Sequence, residues 1–220
     1  MSKLKLLCFG VSIAGYGAGP GQDMDNPLGI GGESLHEWFF PTKTFQTMHG
    51  GGVPGGTAGL DDDFAARGFE NIGAWIIGRN MFGPMRGPWE DHAWQGWWGD
   101  NPPYQAPVYI LTHHARPSIE MAGGTVFHFV SEGIEVALAK AKEGAGAKDV
   151  RLGGGVSTIR QFLKAKLLDE MHIAVSPVLF GSGENLWRDI HLPQLGYECV
   201  DYSPSEKAAH MVFRRRSGWT

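Results

Sequence analysis

Between Ile72 and Val175 the chain alternates short apolar runs with amphipathic segments, and this alternation most constrains its fold. Ile72–Ile77, Val108–Thr112, Val126–Val130, Asp149–Leu152 and Met171–Val175 read as strands, because each is a brief apolar run with glycine or polar residues near its end. Two helices are expected between them. In the first, Ile134, Ala137, Leu138 and Ala141 share one face, with Ser131 expected as its cap. The second runs over Val156–Lys166 with Ile159, Phe162 and Leu163 on one face. Strand, helix, strand, helix, strand implies crossover connections and a largely parallel sheet. Lys3–Val11 reads as a further buried strand. Tyr197–Tyr202 and Ala208–Arg214 read as a closing antiparallel hairpin. Helices are also expected over Glu33–Phe40 and Asp61–Phe69, the latter with three aspartates in its first turn complementing the helix dipole.

Glycine provides 33 of the 220 residues, about twice ordinary usage. Eight tryptophans and twelve phenylalanines nevertheless supply a core. No internal repeat or Pro/Ser-rich linker divides the chain, so one domain over 1–220 is expected. Lys and Arg number 19 against 23 Asp and Glu, so no strong basic field points to nucleic acid. No signal-peptide pattern and no run long enough to span a membrane is seen, and Cys8 and Cys199 read as two buried thiols. The expected setting is the reducing cytoplasm.

Candidate chemistry gathers where strands end. Gly153-Gly154-Gly155-Val156-Ser157-Thr158 follows a strand and opens a helix. Free N–H groups there suit a phosphate, although a tight turn would also need such glycines. Gly78-Arg79-Asn80-Met81-Phe82-Gly83 follows another strand, and its arginine is a fork-shaped donor suited to phosphate. Thr112-His113-His114 ends a third. Neighbouring histidines in extended chain point opposite ways, so no metal site is expected. Trp89, Trp94, Trp97 and Trp98 form either an aromatic wall for a flat substrate or a plug that packs a long loop. Glu33, Glu37 and the Asp169-Glu170 pair are the carboxylates considered as proton donors.

Five blocks in order carry a resemblance: Ile76 to Phe82, Val108 to His114, Arg151 to Gly155, Leu167 to Ile173, and Ser176 to Gly183. With them the chain resembles the dihydrofolate reductase-like superfamily, in the branch related to the riboflavin-biosynthesis (RibD C-terminal-type) reductase domain. The resemblance covers nearly the whole chain. It implies a three-layer α/β/α fold with a mixed, mostly parallel central sheet and an antiparallel C-terminal hairpin. It also implies NADPH as cofactor, a small-molecule substrate and a homodimer. By position, Arg79 and Asn80 match phosphate contacts, with Gly78 and Met81 in the same block. Thr112 and His113 match the 2′-phosphate and adenosine neighbourhood. Gly154, Gly155, Val156 and Ser157 match the pyrophosphate turn. The loop holding Ala14 would run along the nicotinamide.

The chain departs from that branch at Ser12-Ile13-Ala14-Gly15, where the branch reads Ser-Leu-Asp-Gly. Loss of this aspartate argues against the ribosylaminopyrimidine substrate. The HxE…PCxxC deaminase signature is also absent. The expected activity is an NADPH-dependent reduction of a small, flat heterocyclic or carbonyl substrate. Glu170 is the candidate catalytic group, and Glu33, Glu37 and Trp89 are candidate substrate contacts. A ligand-binding module without turnover is the competing reading, motivated by Ala14.

Overall fold

The computed structural model describes residues 2–49, 55–83, 87–90 and 92–216, and for His49 the backbone alone. One nine-stranded sheet takes strands from both ends of the chain. They are β1 (Leu4–Ser12), β3 (Ile72–Gly78), β4 (Pro107–Leu111), β5 (Ile119–Glu120), β6 (Val126–Val130), β7 (Asp149–Gly154), β8 (Glu170–Ser176), β10 (Tyr197–Pro204) and β11 (Ala209–Arg215). A two-stranded ribbon pairs β2 (Tyr16–Ala18) with β9 (Glu184–Asn185).

The sheet order is β10-β11-β8-β1-β7-β3-β4-β6-β5. The six strands from β8 to β6 run parallel to their neighbours, and β10, β11 and β5 are antiparallel. This is the mixed, mostly parallel sheet with a terminal hairpin that the sequence implies. Its central strands are apolar on both faces because α4 and α5 cover one side, and α2 with aromatic segments the other.

Helices α4 (Ile134–Ala145) and α5 (Val156–Lys164) pack over one face. α4 buries Ala137, Leu138, Ala141 and Ala145, and α5 buries Ile159, Phe162 and Leu163. Each large side chain so buried is worth roughly 1.5–3 kcal/mol. The α4 cap departs from expectation. Gly133 occupies the position with φ of 102°, while the Ser131 amide donates to the carboxylate of Glu132. The opposite face carries two smaller clusters. One joins Trp38, Phe64, Ala65, Ala174, Ala208 and Val212. The other sets Trp75, Ile77, Phe82 and Phe127 beneath the tryptophan-rich segment.

Helix α2 (Leu60–Arg67) forms with the three aspartates in its first turn. The expected helix at Glu33–Phe40 does not. A single 3₁₀ turn covers Gly32–His36, and the chain continues to Phe40 as hydrogen-bonded turns rather than a regular helix. The Leu35 carbonyl is taken by the Ser176 hydroxyl (3.1 Å), and Leu35 and Trp38 are both buried. Helix α1 (Lys43–His49) and the single turn α3 (Arg79–Phe82) are not legible in the periodicity. Cys199 corrects the expectation of two buried thiols, for it is exposed on the edge strand β10.

Candidate functional site

A cavity of about 850 Å³ opens where the parallel strands end. One part of its wall is built where strands end and turns begin. Gly78, Arg79, Asn80 and Met81 follow β3, Thr112 and His113 follow β4, and Gly155, Val156 and Ser157 join β7 to α5. The carboxyl edge of an open α/β sheet is where ligands collect.

The β7–α5 turn needs its glycines. Gly154 has φ of 128°, a region that L side chains rarely adopt. A Cβ on Gly78 would stand 2.3 Å from Thr158 Oγ1 and 3.3 Å from the Gly155 amide nitrogen, so β3 and α5 meet only because residue 78 has no side chain. A Cβ on Gly155, by contrast, would meet nothing within 4 Å. The first main-chain bond of this helix runs from Ile159 N–H to Gly155 C=O, and no side chain of the described residues caps the N-terminus. The amides ahead of Ile159 therefore remain available, beside open space, to an anionic group.

Arg79 is held in this wall by Trp89, whose ring centre lies 3.7 Å from the guanidinium carbon. The Trp89 indole N–H in turn donates to the His114 carbonyl at 2.9 Å, locking the turn after β4. The His114 amide donates to Thr112 Oγ1 (3.2 Å). Trp89 thus supports two turns of the cavity wall without lining the cavity itself.

Another part of the wall is aromatic. Phe39, Phe40 and Phe45 pack ring to ring at 5.1–5.2 Å, with His36 beside Phe40. Burial pulls the His36 imidazole below its ordinary pKa and keeps it neutral. Further along, Phe69, Trp75, Trp98 and Tyr104 enclose Arg151.

Arg151 lies on a central strand, opposite Trp75 across the β3–β7 register, and is 7% exposed. Its Nη1 donates to Gly68 C=O at 2.6 Å and its Nη2 to Leu7 C=O at 3.0 Å. Its guanidinium carbon lies 4.5 Å from the ring centre of Phe69 and 4.4 Å from that of Trp75. Burial lowers its pKa, yet a guanidinium stays charged at any ordinary pH. Beside it, burial raises the Cys8 thiol and the Tyr104 phenol, so both stay protonated at neutral pH.

Of the residues expected from the sequence, the structure gathers Gly78, Arg79, Asn80, Met81, Thr112, His113, Gly155, Val156 and Ser157 on one wall. Gly154 is buried directly behind it, where a Cβ would press on Met81 Sδ at 2.8 Å. Ala14 is exposed outside the cavity lining, and its carbonyl accepts from Asn185 Nδ2 (2.8 Å). Glu33 and Glu37 are exposed and lie off the cavity.

Glu170 stands apart, at the amino end of β8, where its carboxylate accepts from Arg214 Nε at 2.6 Å. It borders a separate polar groove rather than the 850 Å³ cavity. A parallel sheet directs its two ends to opposite sides, which separates Glu170 from the turns after β3, β4 and β7. The residue that sequence reasoning passes over is Arg151, carried only as part of a motif. Its signal is a charged residue between Val150 and Leu152 in a buried strand. Tyr104, within a long loop, offers none.

Among the described residues no three His, Cys, Asp or Glu side chains cluster in a way that could hold a metal ion. No helix of the described residues is long and apolar enough to cross a membrane.

Comparison with known proteins agrees with this architecture. No curated protein matches the chain. Among solved structures it is similar to a protein assigned to riboflavin biosynthesis from Shewanella sp. PV-4. The identity is 22%, covering 98% of this chain and 99% of that one, with a TM-score of 0.58. It is also similar to dihydrofolate reductase from Enterococcus faecalis, solved in complex with NADP(H) and RAB-propyl. That match has 19% identity, covers 74% of this chain and 86% of that one, and has a TM-score of 0.46. The model of the RibD C-terminal domain matches residues 7–207, and the chain belongs to the RibD C-terminal domain family.

Proposed function

We propose that the protein is an NADPH-dependent reductase of a small, flat heterocyclic or carbonyl substrate. The observation that carries this reading is the turn wall: free amides at the start of α5, a glycine-only junction at Gly78, and Arg79 held over Trp89, all at one edge of the sheet. These groups suit a dinucleotide, because its phosphates need N–H donors and a nearby fixed cation. Gly155, Val156 and Ser157 would hold the pyrophosphate, and Arg79, Asn80, Thr112 and His113 the adenosine side. When bound, the nicotinamide supplies a hydride, and such chemistry belongs to the cofactor.

The chain's own part is positioning and exclusion of water. Phe39, Phe40 and Phe45 offer an apolar aromatic wall to a conjugated substrate. Membership of a family of reductase domains supports turnover over mere binding. A homodimer belongs to the same reading, with the edge strand β10 presenting Val200 and Tyr202 to solvent as a face that a second copy could cover.

Titration with NADPH, followed by nucleotide fluorescence, tests the proposal. Saturable binding is expected. Its absence up to millimolar cofactor overturns the reading. Tight binding without oxidation by any member of a substrate panel would favour a binding module instead. Sedimentation showing only a 24.0 kDa species would refute the dimer.

A further inference from the structure

The floor of the aromatic part of the cavity carries a buried positive charge. Among the described residues no Asp or Glu forms an ion pair with Arg151. Glu184 is the one carboxylate among the described residues lining the cavity, and it is exposed on β9. A guanidinium has five N–H donors, and two are spent on the Gly68 and Leu7 carbonyls. Its Nε is buried without a hydrogen-bond partner among the described residues, as is the Tyr104 hydroxyl nearby. Taking a cation out of water is costly unless something compensates it. Two carbonyl dipoles, two ring faces and the Cys8 side chain compensate in part. The remaining charge is offered to a ligand in the cavity that Arg151 lines together with Trp75, Trp98 and Tyr104.

We infer that the substrate of this site is a planar anion, a conjugated or heteroaromatic acid whose negative group is held by Arg151 with Tyr104. Three features converge on that chemistry. The rings of Phe69, Trp75 and Trp98 suit a flat π-system. The buried guanidinium is a fixed planar donor matched to a carboxylate or an equally acidic ring oxygen. The phenol is kept protonated by burial and is therefore a donor. A neutral substrate could accept a hydrogen bond from this hydroxyl but would bring the guanidinium no counter-charge. The inference rests on the reductase reading for the word substrate, but its test is one of binding and needs no turnover.

The test is calorimetric titration of the whole chain, without NADPH, using quinoline-3-carboxylate and quinoline-3-carboxamide. The two probes share size and shape and differ in charge. The carboxylate should bind about tenfold or more tightly than the amide. Arg151→Gln should abolish this preference, and Tyr104→Phe should reduce it. Equal or tighter binding of the amide to the unmodified protein overturns the inference, as does absence of binding by either probe at millimolar concentration. A folded Arg151→Gln protein that keeps the preference also overturns it. Should that variant not fold, Tyr104→Phe decides: a weaker preference supports the inference and an unchanged one overturns it. NADPH titration is a separate measurement. Loss of cofactor binding with acid preference intact would sink the reductase reading alone, and the reverse result would sink this inference alone.

Discussion

His172 Nε2 and His210 Nδ1 lie 3.0 Å apart in the interior, linking β8 to β11 beneath Trp38 and Phe64. The tautomers follow from the partners. The Cys8 amide can only donate, and it reaches His172 Nδ1 at 3.2 Å. His172 therefore carries its proton on Nε2 and donates to His210, which donates from its own Nε2 to Asp61 Oδ1 at 2.8 Å. The chain of bonds ties α2 to the bulged turn of β1 at Cys8, where φ is 56° and the cavity wall begins.

This relay makes stability depend on pH. Burial, with the neighbouring imidazole of His210 second, lowers the His172 pKa to about 3, and burial lowers that of His210. The unfolded chain takes up protons near pH 6.5 and the folded chain does so only well below, so stability is full above 6.5 and falls with pH toward about 3. His172 alone should lower stability by about 2 kcal/mol between pH 7.5 and pH 5. Urea unfolding at the two pH values checks this, and an unchanged midpoint would contradict it.

His210→Ala should destabilise by roughly 2–4 kcal/mol, because it leaves a cavity against Trp38 and Phe64 and deprives His172 and Asp61 of their partner. Chemical denaturation measures the loss. A cost near zero would mean that the relay contributes nothing to the fold.

Gly78→Ala should weaken NADPH binding about tenfold or more, since its Cβ would drive Thr158 Oγ1 away from β3 and shift the start of α5. Circular dichroism should remain that of the parent. Parental affinity in this variant would show that the junction does not shape the phosphate turn.

Trp89→Ala should also raise the NADPH dissociation constant, although Trp89 lines no part of the cavity. It removes the ring 3.7 Å from the Arg79 guanidinium and the indole donor to His114 C=O. A stack of this kind is worth roughly 0.5–2 kcal/mol. Fluorescence titration reads the change, and Trp89→Phe should restore part of it.

Glu170→Gln should leave NADPH binding and any turnover unchanged. Its partner is Arg214, at the sheet edge opposite the cavity turns, and an exposed pair of this kind contributes at most about 1 kcal/mol. Loss of activity with retained stability would return Glu170 to the catalytic machinery.

The turn wall is largely legible in the amino-acid sequence. Gly78-Arg79, Thr112-His113 and Gly155-Val156-Ser157 are local signals, each an apolar run stopped by residues that suit a turn. A parallel sheet then brings such strand ends together without further instruction. The carboxylates are not legible in this way. Glu33, Glu37 and Glu170 are ordinary acidic residues in sequence, and only their exposure and the direction of β8 separate them from the cavity.

The pattern of apolar runs and helical faces determined β3, β4, β6, α4, β7, α5 and β8 in order and the closing hairpin, though not the short α3 and β5, because burial on a sheet or helix face leaves a local record in the sequence. It could not determine what meets what across the sheet. The β3–β7 register sets Trp75 beside Arg151, the chain after α2 brings Phe69 over the same guanidinium, and the segment ahead of β4 closes the group with Tyr104. Such contacts join residues far apart in the chain, so no local pattern records them. The charged floor of the cavity was therefore decided by tertiary structure.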